Sequence, residues 1–224
     1  MKRYALLGAF VWAGSALASA PDVREVNGPI RVEAGRLAGD VSTVNGSIQI
    51  GDQARVGGVH TINGSITLGR ELTAASVETV NGAVHVGGDD RIAGAVRTIN
   101  GSITLDASAD VAGRVASVNG ALRLNAAHVG GGLETTNGDI DVGAQSRVEG
   151  GLLVGKASDG WLDWLLHGGF HLGDRPRIVI GPGAVVEGTL KFEREVTLYV
   201  SDRATIGAIR GATAIRYSGA QPGA

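Results

Sequence analysis

Between residues 23 and 152, apolar and polar side chains alternate in runs of only three to five positions, and these runs return at a fixed interval. Asn-Gly marks the interval, at Asn27, Asn45, Asn63, Asn81, Asn100, Asn119 and Asn137, with spacings of 18, 18, 18, 19, 19 and 18. An aliphatic residue stands three positions after each Asn (Ile30, Ile48, Ile66, Val84, Ile103, Leu122, Ile140) and another five positions after it (Val32, Ile50, Leu68, Val86, Leu105, Leu124, Val142). Four positions before it come Val41, Val59, Val77, Val96, Val115 or Leu133. Two before it come Thr43, Thr61, Thr79, Thr98, Ser117 or Thr135, with Glu25 the exception. The unit reads V-x-T-[V/I]-N-G-S-[I/V]-x-[I/L/V]-G.

Alternation with period two over so few residues predicts short strands. Asn-Gly predicts a turn at positive φ and is the usual signal of a hairpin. A hairpin, however, does not return every 18 residues with its side chains in phase; a period of this size predicts a solenoid. Three strands and three corners fill one coil, and coils stack at about 4.8 Å. Val, Ile and Leu then form internal layers, Asn forms an amide ladder at one corner, Thr stacks on the adjoining side, and Gly relieves crowding at the corners. The expectation is an all-β, single-stranded parallel β-helix (β-solenoid), triangular in section and right-handed.

The second half of the unit continues past residue 152: Ile140–Leu152 aligns with Ile178–Leu190, and Leu198–Ile209 aligns again. The solenoid domain is therefore expected over 19–217. It has about nine coils, a rod of roughly 40–45 Å, an insertion at about 153–177 and a flexible tail at 218–224. Pro29 in the first coil removes a backbone donor, and Arg210 and Arg216 charge the last. Both features blunt edge pairing and favour a monomer over a homopolymer.

Composition fits thin layers of small side chains. Glycine is 37 of 224 residues, aromatics are 4% and charged residues 19%. Without a Gly at every third position the chain is not collagen. At 43% hydrophobic with a net charge of -2, it is not a disordered chain either. The 17 Arg and 3 Lys are scattered, which argues against nucleic acid as a partner. There is no cysteine, so disulfides, thiolate metal sites and thiol nucleophiles are excluded. Lys2 and Arg3, the apolar stretch from Tyr4 to Ala18 and the small residues Ala16 and Ala18 read as a secretory signal peptide over 1–18. Cleavage after Ala20 is the alternative. The chain is thus expected to be exported to the periplasm or surface of a bacterium, with no transmembrane segment after signal removal.

Candidate chemistry is sparse, and no catalytic residue, cofactor or metal is expected. Gly150 to Lys156 approaches a phosphate-binding loop, but Ala157 replaces the hydroxyl residue, so a coil corner is the reading. Asp89 with Asp90, and Asp139 with Asp141, form acidic pairs, read as solvated faces because no aromatic stands beside them to stack a sugar. The Asn-Gly-Ser triplets at Asn45, Asn63 and Asn100 are by-products of the repeat. The insertion differs from everything around it. It holds Trp161 and Trp164, the only tryptophans after the signal peptide, with Leu165, His167, Phe170 and His171. Asp159 is placed to cap a short helix to His167, ended by Gly168-Gly169. Either this turn packs its rings on the solenoid, or it is an exposed loop that binds a protein or glycan partner.

The repeated T-[V/I]-N-G-S-[I/V]-x-[I/L/V]-G coil over 23–152 resembles a bacterial adhesin-type β-strand-repeat family of unknown function, related to autotransporter adhesin heads. Residues 178–209 resemble bactofilins, the polymer-forming bacterial β-helix proteins. The resemblance implies an exported, non-enzymatic protein of the cell envelope, a structural or adhesin-like binding module. A self-assembling scaffold is the second reading. A hexapeptide-repeat acyltransferase is the third, with His167 or His171 as general base.

Overall fold

A computed structural model describes residues 20–155 and 175–223. Over these residues the chain is all-β, without a helix, and winds into a parallel β-solenoid. Three faces recur in each coil. Face 1 runs from Leu37, bridged to Arg55, through Arg55-Val56, Thr73-Ala74, Arg91-Ile92, Asp110-Val111, His128-Val129, Arg147-Val148 and Val185-Val186 to Thr205-Ile206. Face 2 carries Val23, Val41, Val59, Val77, Val96, Val115, Leu133, Leu152, Leu190 and Ile209 in lateral register. Face 3 is a ten-stranded sheet from Ile30–Val32 to Ala214–Tyr217. Ten strands there mean ten coils, one more than the repeat count predicts, because the degenerate last coil has lost its Asn-Gly and its alternation.

The aliphatic positions of the repeat are the core. Ile48, Ile66, Val84, Ile103, Leu122, Ile140 and Ile178 form one continuous column, and Ile50, Leu68, Val86, Leu105, Leu124 and Val142 form the next, all at most 2% exposed. Each residue touches its own kind one coil away, so no aromatic is needed to fill space. The Thr positions also point inward: Thr43, Thr61, Thr79, Thr98, Ser117 and Thr135 are buried. A buried hydroxyl must be paired. Thr61 Oγ1 donates to Gly46 O at 3.0 Å, Thr79 Oγ1 to Gly64 O at 3.0 Å, and Thr98 Oγ1 to Gly82 O at 3.0 Å. These three thus satisfy the Asn-Gly corner of the preceding coil, whereas Thr135 Oγ1 accepts from the Gly138 N–H at 3.0 Å. When Asn-Gly stops, the column turns apolar: Val154 and then Phe192 continue the register of Thr135.

The corners correct one expectation. Of the seven Asn-Gly glycines only Gly28 lies at positive φ (137°). The others are required by close approach: a Cβ on Gly46, Gly64, Gly82 or Gly101 would stand 2.0 Å from the carbonyl oxygen of the preceding coil's glycine. Left-handed backbone occurs instead at the corner between faces 3 and 1. There Gly35, Gln53, Glu71, Asp89, Ser108, Ala126, Gln145 and Gly183 all have φ between 49° and 71°.

The excursion is narrower than 153–177. Leu152–Val154 still pairs on face 2 and Arg177–Ile180 on face 3. The signal peptide and the helix proposed for the insertion lie outside the described residues. No helix among the described residues is long and apolar enough to cross a membrane.

Candidate functional site

The Asn corner is built as expected and extends along the rod. Asn45 Nδ2 donates to Asn27 Oδ1 at 2.9 Å, and the same bond repeats from Asn63 to Asn45, Asn81 to Asn63, Asn100 to Asn81, Asn119 to Asn100 and Asn137 to Asn119, at 2.8–3.0 Å. The six bonds run in one sense, so amide dipoles align and their oxygen end lies at Asn137. There the guanidinium of Arg194 donates from Nη1 to Asn137 Oδ1 and, at 3.0 Å, to Thr136 O. A cation at the negative end of aligned dipoles is favourable for the reason that cations suit helix C-termini. The other end, Asn27, accepts from Asn45 and belongs to the first coil.

Beside this ladder stands a second column, formed by the residue preceding each Asn: Val26, Val44, Ile62, Val80, Ile99 and Val118, with Thr136 in the seventh place. They point outward. Val26 is 64% exposed, Val44 37% and Ile62 46%, whereas Val80, Ile99 and Val118 are half-buried. From the third coil onward this aliphatic stripe forms one side of a groove of about 670 Å³. Thr79, Thr98 and Ser117 also line it, with Glu78, Arg97 and Glu134 from face 2, and it reaches Leu153 and Gly155. It crosses seven coils, about 30 Å at the strand spacing. Its charged members are paired within the wall. Glu78 lies 3.7 Å from both His60 Nδ1 and Arg97 Nη1, and Glu134 lies 2.6 Å from Arg114 Nη1. The groove therefore presents aliphatic surface and neutralised charge. Among the described residues of its lining, no nucleophile stands beside a base. Gly155, where the described chain stops before the insertion, is part of the lining.

The candidate partner-binding residues Trp161, Trp164, Leu165, His167, Phe170 and His171 lie outside the described residues, so the ladder residues alone among the candidates are placed. Among the described residues no cluster of His, Asp and Glu is arranged to hold a metal ion. The acidic pairs separate. Asp139 accepts from the Arg177 backbone N–H at 2.8 Å, a structural corner bond. Asp89 is exposed, but Asp90 is wholly buried, which overturns its reading as part of a solvated face. Asp90 occupies an inward corner position that is Ala54, Leu72, Ala109, Ala127 and Ser146 in neighbouring coils. Its Oδ1 accepts from the Leu72 backbone N–H at 3.0 Å, and its Oδ2 has no partner. Burial pushes its carboxyl up to about 7, partly opposed by the backbone N–H groups of Leu72 and Gly87. The sequence signal for this was the pattern break itself, a charge in a column of small apolar residues.

His128 is held between two carboxylates, with Nδ1 2.7 Å from Asp110 Oδ1 and Nε2 3.3 Å from Glu149 Oε1. The bond to Asp110 holds its imidazole above the usual histidine range, burial opposing. These groups lie on face 1, away from the groove lining. Comparison with protein-family models, with curated proteins and with solved structures finds no match.

Proposed function

We propose that this protein is a non-catalytic, exported β-solenoid of the bacterial envelope, a rod whose Asn-ladder side receives an extended apolar segment of a protein partner. The observation that carries the reading is the 30 Å groove walled by Val80, Ile99 and Val118. It is long, with an aliphatic stripe along one side and charges paired in its wall. This suits a peptide better than a sugar, which calls for aromatic stacking, or a nucleic acid, which calls for unpaired cations. A preformed groove on a scaffold whose coils lock their neighbours has little ordering cost on binding. The signal-like leader Lys2 to Ala18 supports export.

The test is site-specific photo-crosslinking in the native host, with the crosslinker at Ile99 in the groove or at Thr67, exposed on face 3. The reading expects one discrete adduct from position 99 and none from position 67. Equal adducts from both positions, or none from either, reject it. Light scattering on the purified protein separates the scaffold reading, which expects a growing assembly, from the binding module, which expects chain mass.

A further inference from the structure

We infer that Asn27 is a modification site: the first amide of the ladder is the one that converts spontaneously to aspartate and isoaspartate, while the six behind it are protected by the stack. The inference rests on the ladder alone and does not depend on what fills the groove. In an Asn-Gly pair the peptide nitrogen of the glycine can attack Cγ of the preceding side chain. The Gly N–Cγ bond forms, the Cγ–Nδ2 bond breaks and ammonia leaves with the displaced proton. Water then opens the five-membered succinimide at either carbonyl, giving aspartyl or isoaspartyl. Asn and water become Asp and ammonia, with no oxidant or catalyst.

The ring closes only if Cγ can turn toward the glycine nitrogen. Interior amides are held from both sides; Asn63, for example, donates to Asn45 at 2.9 Å and accepts from Asn81 at 3.0 Å. Asn137 donates to Asn119 and accepts from Arg194. Asn27 alone has a single ladder bond, the one it accepts from Asn45. The glycines differ in the same direction. Gly46, Gly64, Gly82, Gly101, Gly120 and Gly138 lie so close to the preceding coil that a Cβ would meet a glycine carbonyl oxygen at 1.9–2.0 Å. Around Gly28 such an atom would meet nothing within 4 Å, and its φ of 137° departs from the other six. The N–H of Gly28 bonds Asn45 O at 2.9 Å, as Gly46 bonds Asn63 O at 3.0 Å, so that bond opens in either case and does not distinguish the sites. The product is tolerated only at the end. A carboxylate at position 27 still offers an oxygen to Asn45 Nδ2, whereas at position 81 it would set oxygen against Asn63 Oδ1.

The experiment is peptide mapping of the native protein during incubation at mildly alkaline pH. Trypsin places the seven Asn-Gly pairs in seven different peptides, with Asn27 in Glu25–Arg31. The expected result is deamidation of Glu25–Arg31 ahead of the other six by about tenfold or more, the factor given by ~1.4 kcal/mol of extra local opening. In denaturant all seven should converge. Arg194→Ala should raise the rate at Asn137 alone. Equal native rates at all seven sites, or an interior peptide leading, overturn the inference.

Discussion

Asp90 places a carboxyl where the neighbouring coils place Leu72 and Ala109, and its pH dependence follows from that position. Burial raises its carboxyl from the ordinary 3.8 to about 7 in the folded chain. Below 3.8 both folded and unfolded chains hold the proton, and the group contributes no penalty. Between 3.8 and 7 the unfolded chain releases the proton and the folded chain keeps it, so stability falls as pH rises, by up to ~1.4 kcal/mol per unit at the steepest. His128, raised by Asp110, adds a slope of the same sign above the ordinary histidine range, because the folded state holds its proton longer. Thermal unfolding should therefore show a protein more stable at mildly acid than at mildly alkaline pH. In Asp90→Asn, which keeps an acceptor for the Leu72 N–H, most of that difference should vanish. An unchanged pH profile would mean that Asp90 is ionised in the folded state. Ala126 offers a second test at this scale. At φ 49° its methyl group pays the left-handed penalty of roughly 1–2 kcal/mol, and glycine removes it while adding about 0.5–1 kcal/mol of unfolded-state entropy. Ala126→Gly should therefore stabilise by between about zero and about 1.5 kcal/mol, read from denaturant unfolding.

At the scale of the element, the corner between faces 2 and 3 is a device with three linked parts. Asn bonds the next Asn, Thr donates to the preceding glycine carbonyl, and the glycine leaves room for that carbonyl. The parts fail differently. Asn81→Ala removes two exposed amide bonds and should cost about 1–2 kcal/mol in denaturant unfolding. Gly64→Ala drives a methyl group to 2.0 Å from Gly46 O, backbone against backbone. It should cost more than about 4 kcal/mol or prevent folding, as judged by circular dichroism. If both substitutions cost the same, close approach is not what demands glycine. The ladder, the Thr column and the aliphatic columns were legible in the sequence because a fixed period carries side chains of one kind into register without any knowledge of the rest of the fold. The left-handed corner was not legible. Six of its eight residues are Gln, Glu, Asp, Ser or Ala, and their conformation is imposed by the stack rather than by their own preference. Arg194 was not legible either: it caps the ladder from 57 residues away, and no local pattern announces such a contact. Nor was the groove, because the aliphatic before each Asn has no visible role until seven coils stand in line.

For the whole molecule, nearest-neighbour contact is the governing fact: among the described residues every strand pairing joins one coil to the next. Stability is then a sum of coils and interfaces, and the unit of tolerated change is one complete coil. Excising residues 46–63 joins Asn45 to Gly64 and preserves every column. Asn81 then stands beside Asn45, Val77 beside Val41 and Ile66 beside Ile30, because these positions are already in register two coils apart. Such a protein should fold cooperatively, shorter by about 4.8 Å in small-angle scattering and less stable by the loss of one coil. Excising only residues 46–54 removes the same kind of chain but sets face 3 strands against face 1 strands. Polar side chains such as Gln and Arg would then enter the aliphatic columns, and the shortened chain should fail to give a folded spectrum. If both deletions fold, or neither does, the columns do not specify the register. The full-coil deletion also shortens the Asn ladder without touching either end. Deamidation at Asn27 should therefore keep its rate in the excised protein, since the exposure of that residue is set by the end of the rod and not by its length.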